Sequence, residues 1–283
     1  MHKTSLLLIL SAPTLTALEF SVISYNVRTS NAPDVSYPWT DRKQQLQPFI
    51  EAENPDFIGT QEASPEQFEF FQQALGDTYG ITGECAGECY ENERPFLMYK
   101  KSEWNSLEFG SFALSDRQEI RGSNTWNLEY KRSVSWQRFQ HKSNSISICL
   151  FNTHFDMTKG HLESSKLIVQ ERSKICKSFD FFILTGDLNA NLQDDAIHYL
   201  KGIPLISTLQ QCGYQGGTFI GPGVFTGPLS SAVFDYIFIQ PNENIRIIGS
   251  SIIDSRRNGQ AITDHAIVKT TFCSGSPCAP ACG

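Results

Sequence analysis

Carboxamides, carboxylates and imidazoles recur at or near the ends of short apolar runs in this chain: Tyr25-Asn26, Gln61-Glu62, Asn152-Thr153-His154, Gly186-Asp187-Leu188-Asn189 and Thr263-Asp264-His265. Brought to one place, such groups offer hard oxygen donors with imidazole beside them. That set suits a divalent cation and a phosphate ester rather than a thiolate or haem centre. Asp187 and Asn189 stand two residues apart, so on an extended backbone both side chains face the same pocket.

The elements that must position these groups are legible as strands and helices. Phe20–Tyr25, Asp56–Gly59, Ile146–Phe151 and Phe181–Leu184 are rich in strand-forming residues and lead into four of the motifs. A helix is expected from Asp41 to Ala52, with Pro48 kinking it or marking an early start. Ser64-Pro65 opens another to about Leu75, Ser as N-cap and Pro at the first helical position. A third runs from Glu163 to Cys176. Phe96–Tyr99, Ser133–Phe139 and Ile146–Phe151 read as an antiparallel meander, and the Gly/Pro-rich stretch Gly213–Pro228 as a long loop.

Asp235 is exceptional within Val233-Phe-Asp-Tyr-Ile-Phe-Ile239. Alternation puts it on one face with Val233, Ile237 and Ile239, while Phe234, Tyr236 and Phe238 take the other. A carboxylate in a strand apolar on both faces requires a compensating partner.

In order and spacing, the five motifs resemble the endonuclease/exonuclease/phosphatase superfamily, over about Phe20 to Thr271. The Tyr25-Asn-Val-Arg-Thr-Ser-Asn-Ala-Pro-Asp34 segment, Trp39-x-x-Arg42, Leu114-Ser-Asp, Arg132-Ser-Val-Ser-Trp136 and Asn152-Thr-His-Phe-Asp156 are similar to its bacterial and fungal branch near the deadenylases. The resemblance implies an α/β fold, a four-layer sandwich of two mixed β-sheets packed face to face with helices outside. It also implies roles. Glu62 becomes the principal metal-binding carboxylate, with Asn26 and Asp264 as further ligands of Mg²⁺ or Mn²⁺. His265 becomes the general base, oriented by Asp235. Asp187 and Asn189 position the water and hold the phosphate, Asp187 also touching metal, and His154 bonds a non-bridging oxygen or assists the leaving group. Asp156 either supports His154 or opens the next turn. Arg132 suits phosphate or site-loop anchoring, Trp136 suits core packing, Arg42 holds the first site loop or contacts substrate, and Arg94 is a candidate substrate contact.

With 283 residues, 40% apolar and 12% aromatic, the chain can bury a substantial core, and no repeat or linker divides it. Residues 1–18 read as an export signal: Lys3, the apolar Leu6–Leu10, then Thr16-Ala17 before a mature start at Leu18 or Glu19. Residues 19–283 then form one domain, secreted, monomeric and without a stable membrane anchor. Eight cysteines fit an oxidising compartment and four disulfides, Cys85 and Cys89 closing a small loop and Cys149 pairing with Cys176; zinc is the competing use. There is no Asn-x-Ser/Thr sequon. A net charge of −7 excludes the global basic field of tight non-specific nucleic-acid binding, though not a nuclease whose metal and local cations neutralise phosphate. Lys100-Lys101, Lys131-Arg132 and Arg256-Arg257 are the dense basic pairs, each expected on a solvated surface.

The functional expectation is a secreted, metal-dependent phosphoester hydrolase, with a nuclease first and a phosphatase for a small phosphomonoester or inositol phosphate second. A binding protein without activity on the same fold is the contrasting class. Completeness of the residue set favours the enzyme. Substrate choice is expected to lie in Gly76–Arg94 and Gly213–Pro228.

Overall fold

The computed structural model describes residues 17–89, 93–253, 255–256 and 259–282, so the expected signal, apart from Ala17 and Leu18, and Arg257 lie outside the described residues. The elements are β1 (Leu18–Asn26), α1 (Trp39–Glu53), β2 (Phe57–Gln61), α2 (Pro65–Leu75), β3 (Tyr79–Thr82), β4 (Leu97–Lys100), β5 (Trp104–Ala113), β6 (Ser133–His141), β7 (Ser147–His154), α3 (His161–Ile175), β8 (Phe181–Asp187), α4 (Asp195–Gly202), β9 (Ile206–Ser207), α5 (Thr208–Gln211), β10 (Asp235–Ile239), β11 (Ile245–Ile253) and β12 (Ile267–Ser274). They form two six-stranded sheets, ordered β11-β12-β1-β2-β4-β3 and β5-β6-β7-β8-β10-β9. Both are mixed: β1 runs parallel to β2 and β7 to β8, and the other named pairs are antiparallel.

Strand alternation builds the layers. Phe20 and Val22 of β1, Ile148 and Leu150 of β7, and Phe181 and Ile183 of β8 point into one cluster between the sheets. The intervening Ile23 and Tyr25 pack with Leu46, Phe49 and Phe71 of α1 and α2. Cys149, Phe151, Phe182 and Leu184 pack with Ile168 and Ile197 of α3 and α4. Strands buried on both faces explain why the runs read as nearly continuous apolar sequence. The result is the expected four-layer α/β sandwich.

Local chemistry sets the helix starts. Ser64 caps α2 in a reciprocal box with Gln67, and Pro65 takes the first helical position. α1 begins at Trp39, before Asp41, and contains Pro48 without ending there. Two readings of the sequence are corrected. Phe96–Tyr99 does not join the meander: β4 pairs with β2 and β3, and the meander is β5-β6-β7. Val233 precedes β10 and packs with Tyr236 and Phe238, not with Ile237 and Ile239.

Four disulfides tie Cys85–Cys89, Cys149–Cys176, Cys212–Cys282 and Cys273–Cys278. Among the described residues no helix is long and apolar enough to cross a membrane.

A buried ion pair braces the end of the second sheet away from the motifs. Asp180 accepts from Arg138 Nε at 2.6 Å, Ser147 Oγ at 2.5 Å and the Lys177 N–H at 2.8 Å. Burial disfavours its charge, but the Arg138 and Ser147 bonds outweigh that and hold the carboxyl below its usual range. A depressed folded-state pKa stabilises the fold above the unfolded carboxylate value, about 3.9, and that contribution is lost as pH falls through the folded value. Asp180→Ala is expected to cost roughly 1–3 kcal/mol at neutral pH, because Arg138 loses its buried partner and keeps only the exposed Glu108, 3.3 Å away. Urea unfolding at neutral and acidic pH checks this: the difference from wild type should shrink in acid, and a constant difference would contradict it.

Candidate active site

The motifs meet at one end of the sandwich because the two parallel pairs end there together. Asn26 aligns with Gln61 across β1 and β2, and His154 with Asp187 across β7 and β8. β10 runs antiparallel to β8, so its first residue, Asp235, lies opposite Asp187. His265 just precedes β12, which runs antiparallel to β1.

Two motif members tie the sheets together beneath the site rather than lining it. Gln61 Nε2 donates to Asn152 Oδ1 at 2.7 Å, and Asn152 Nδ2 donates to the Thr60 carbonyl at 2.7 Å. The sheets approach so closely here that a Cβ on Gly59 would fall 2.1 Å from Thr185 Oγ1. Only glycine admits that contact.

Above this layer lies a cleft of about 350 Å³ lined by Glu62, Glu93, Arg132, His154, Asp187, Asn189, Asp264 and His265, among others. Glu62 leaves β2 in the left-handed region, φ +63°, where the chain turns sharply and strain is common at functional residues. Its Oε2 accepts the Thr29 N–H at 3.1 Å. Asn26 Nδ2 donates to Glu62 Oε1 at 3.0 Å and to Asp187 Oδ2 at 2.9 Å, so this amide bridges the two sheets.

His265 is held at Nδ1 and leaves Nε2 open beside Asp187. Nδ1 lies 2.9 Å from Asp235 Oδ2 and Nε2 lies 3.6 Å from Asp187 Oδ2. Its ring rests against Phe219, centroids 4.7 Å apart. Burial works against the imidazolium, but Asp235 and Asp187 outweigh it and raise His265 well above the ordinary imidazole range. Burial also pushes the Asp235 carboxyl up, to about 6, against the pull of His265.

His154 occupies a second such arrangement. Nδ1 lies 2.7 Å from Glu93 Oε2 and 2.8 Å from Arg132 Nη1. A guanidinium has no acceptor, so the Nδ1 proton goes to Glu93 and leaves Nε2 to the Asn189 amide, 3.0 Å away. Burial and Arg132 oppose the His154 cation; Glu93 and Asp187 prevail and raise its pKa. Glu93 also bonds Arg132 Nη1 at 2.6 Å and accepts the Glu62 N–H at 3.1 Å. Burial would raise the Glu93 carboxyl, yet Arg132 and His154 bring it down to about 2. No feature of the sequence singled out Glu93; Arg28 lies in the Tyr25–Asp34 segment without an assigned role, and it lines the cleft and pairs with Asp34 at 3.0 Å.

The donor set fits a divalent cation. Glu62 and Asp187 offer carboxylate oxygens within 4.8 Å of one another and of a His265 ring nitrogen. Asp264 lines the same cleft with Oδ1 buried and unpartnered, while Oδ2 accepts the Gly223 N–H at 2.8 Å. Oxygen-rich donors of this kind favour Mg²⁺ or Mn²⁺ over zinc. Asn26, expected as a further ligand, lies against two of these donors: its NH₂ bonds the Glu62 and Asp187 carboxylates, which can only accept, and its oxygen takes the Arg28 N–H at 3.0 Å.

The outer candidates are redistributed. Arg132 lines the cleft, and Lys131 beside it does too, so this basic pair faces the site rather than open surface. Arg42 is 0% exposed and is no substrate contact; it bonds the Val27 and Arg28 carbonyls at 2.8 and 3.0 Å and so holds the first site loop. Arg94 is also absent from the cleft, its guanidinium lying over the Phe68 ring at 3.8 Å. Asp156 accepts the Glu129 and Thr158 N–H groups, opening the turn and leaving the support of His154 to Glu93.

Comparison with known proteins agrees with this architecture. An Acanthamoeba polyphaga mimivirus protein, L388, is 25% identical over 162 residues, 55% of this chain and 60% of that relative's length. A Bacteroides thetaiotaomicron endonuclease/exonuclease/phosphatase family protein superposes with TM-score 0.83 at 23% identity, covering 92% of this chain and 97% of that one. The mannosyl-6-phosphatase Bt3783 of the same organism gives 0.79 at 23%, covering 89% and 99%. Danio rerio TDP2 complexed with single-strand DNA product gives 0.69 at 18%, covering 90% and 98%. Residues 23–269 match the profile of the Endonuclease/Exonuclease/phosphatase family, and the chain belongs to that family.

Proposed function

We propose that the protein is a divalent-metal-dependent phosphoester hydrolase in which His265 activates the attacking water. The observation that carries this reading is the His265 ring, bonded to buried Asp235 at Nδ1 and presenting Nε2 to the cleft beside Asp187 and Glu62. Asp235 fixes the tautomer, so Nε2 is the atom that takes the proton from water. Asp187 and Asn189 hold that water and the phosphate. His154, its cation favoured by Glu93 at Nδ1, donates Nε2–H to a phosphoryl oxygen when protonated, with the Asn189 amide turned away from that nitrogen, and Arg132 supplies positive charge nearby. Glu62, Asp187 and Asp264 are the residues to hold Mg²⁺ or Mn²⁺, which when bound polarises the phosphoryl group and stabilises the leaving oxygen.

The cleft favours a compact phosphoester. Nucleic-acid strands are held through successive phosphate contacts. Here the lining cations are Arg28, Lys131 and Arg132, of which Arg28 is paired with Asp34 and Arg132 with Glu93. We therefore place a small phosphomonoester ahead of the nuclease expected from sequence. A nuclease keeps second place because Tyr130, 49% exposed at the cleft, offers a face on which a base can stack, and because the TDP2 fold accommodates DNA. The four disulfides support export, as does the leader-like residues 1–18.

The test is turnover under Mg²⁺ and Mn²⁺ of sugar phosphates, inositol phosphates, p-nitrophenyl phosphate, its bis-ester, sphingomyelin, poly(A), RNA and both forms of DNA. Preferential release of phosphate from small monoesters, abolished by EDTA, is expected. Faster cleavage of oligonucleotides would restore the nuclease, and inertness toward every substrate would remove the hydrolase reading.

A further inference from the structure

Glu93 is secured from behind as firmly as from the cleft. Cys85 and Cys89, four residues apart, close a ring, and Ala86 within it donates its N–H to the Glu93 carbonyl at 3.0 Å. Arg121, from the loop between β5 and β6, grips that ring: Nε bonds the Cys85 carbonyl at 3.2 Å and Nη2 the Gly87 carbonyl at 2.9 Å. Arg121 and Arg94 also place positive charge on the disulfide. Arg121 Nη2 lies 3.2 Å from Cys89 Sγ, and Arg94 Nε and Nη2 each lie 3.3 Å from Cys85 Sγ. Among the described residues, no guanidinium or ammonium bonds a sulfur of the other three disulfides.

Two physical consequences follow. Cations beside sulfur stabilise thiolate, which favours the reduced pair and makes this bridge more readily opened than its siblings. A bridge between residues four apart also restrains little chain, unlike those spanning 27 and 70 residues, so its opening frees one ring without dissolving the fold.

We propose that the Cys85–Cys89 ring is a thiol-responsive positioning element: closed, it fixes Glu93 against His154, Arg132 and the Glu62 backbone; opened, it slows hydrolysis. This rests on the hydrolase reading for its effect on rate. The reductant is an external dithiol. One thiolate attacks a ring sulfur, forming a mixed disulfide and releasing the other cysteine as thiolate. The second thiol of the reagent, as thiolate, then displaces the remaining cysteine, so the reagent leaves as a cyclic disulfide and two electrons pass to the protein.

The experiment titrates the full-length oxidised protein with dithiothreitol, maps opened bridges by alkylation and mass spectrometry, and follows kcat and KM on the best substrate of the panel. Cys85 and Cys89 should be labelled first, with kcat falling about tenfold or more, as small displacements of reacting groups produce, KM little changed, and recovery on reoxidation. Cys85→Ser/Cys89→Ser should show the same lowered kcat without thiol response. Cys273→Ser/Cys278→Ser, a ring of similar size at the opposite end of β12, should keep both the rate and the response. Arg121→Gln should need more dithiol to open the ring. Earlier labelling of another pair, or unchanged kcat with Cys85 and Cys89 fully labelled, would overturn the proposal. Labelling order and the His154 ring NMR signal, expected to move on ring opening, are read without turnover. If the oxidised protein hydrolyses nothing, the hydrolase reading fails separately, and an unmoved His154 signal then sinks the positioning claim.

Discussion

Alanine at Glu62 or at His265 is expected to lower turnover by roughly two or more decades, the loss typical of removing a metal ligand or a general base. The two variants should fail differently. Glu62→Ala removes a carboxylate from the cation-binding set, so excess Mn²⁺ should recover part of its rate; His265→Ala should gain nothing from added metal. Wild-type-like turnover in both would end the assignment. The pH profile adds a signed expectation. His265 is held above the ordinary imidazole range by Asp235 and Asp187 in spite of burial, and a base acts only when deprotonated, so the rate should climb with pH. Asp235→Asn removes the first of those attractions. Its ascending limb should move to lower pH while the plateau falls; a limb displaced upward would contradict the pairing.

Glu93→Gln carries the next largest effect. Its carboxylate is the acceptor for Arg132, His154 and the Glu62 N–H together, and burial has been overcome by Arg132 and His154 to keep it charged down to about 2. Removing that charge leaves Arg132 buried without a counter-ion and releases the proton-directing bond to His154. Supporting groups of this kind typically contribute 10–100-fold, and kcat should fall by about that factor. Glu93→Asp, which keeps the charge on a shorter arm, should recover part of the loss. Equal kcat in Glu93→Gln and wild type would show that Glu93 serves the fold alone.

The five motifs were legible because each placed polar chemistry beside strand-forming sequence. Asp235 was legible for a related reason, since an ionised group between two apolar faces must have a partner. Glu93 had no such signal. It lies in an aperiodic loop, and its partners stand 31, 39 and 61 residues away in sequence. The arginines were legible in part: Arg42 takes one of its two expected roles, buried against the carbonyls of the first site loop, whereas Arg94, read as a substrate contact, lies over an aromatic ring. β4 was placed beside Ser133–Phe139 because the intervening β5, Trp104–Ala113, was not read as a strand. Instead, the turn from Lys100 to Trp104 carries the chain from one sheet to the other. β5 gave little signal because its middle is exposed and polar, with Asn105, Ser106 and Glu108.

The Asn26–Asp187 and His265–Asp235 bonds both cross from one sheet to the other. The candidate site residues are thus divided between two halves, and neither half alone carries the full set. Anything that binds across the seam acts as a clamp on sheet docking. Its binding free energy adds to conformational stability as RT ln(1 + [L]/Kd), so substrate and cation protect the same packing that creates their site. Relaxation along the seam would part the candidate site before the secondary structure is lost.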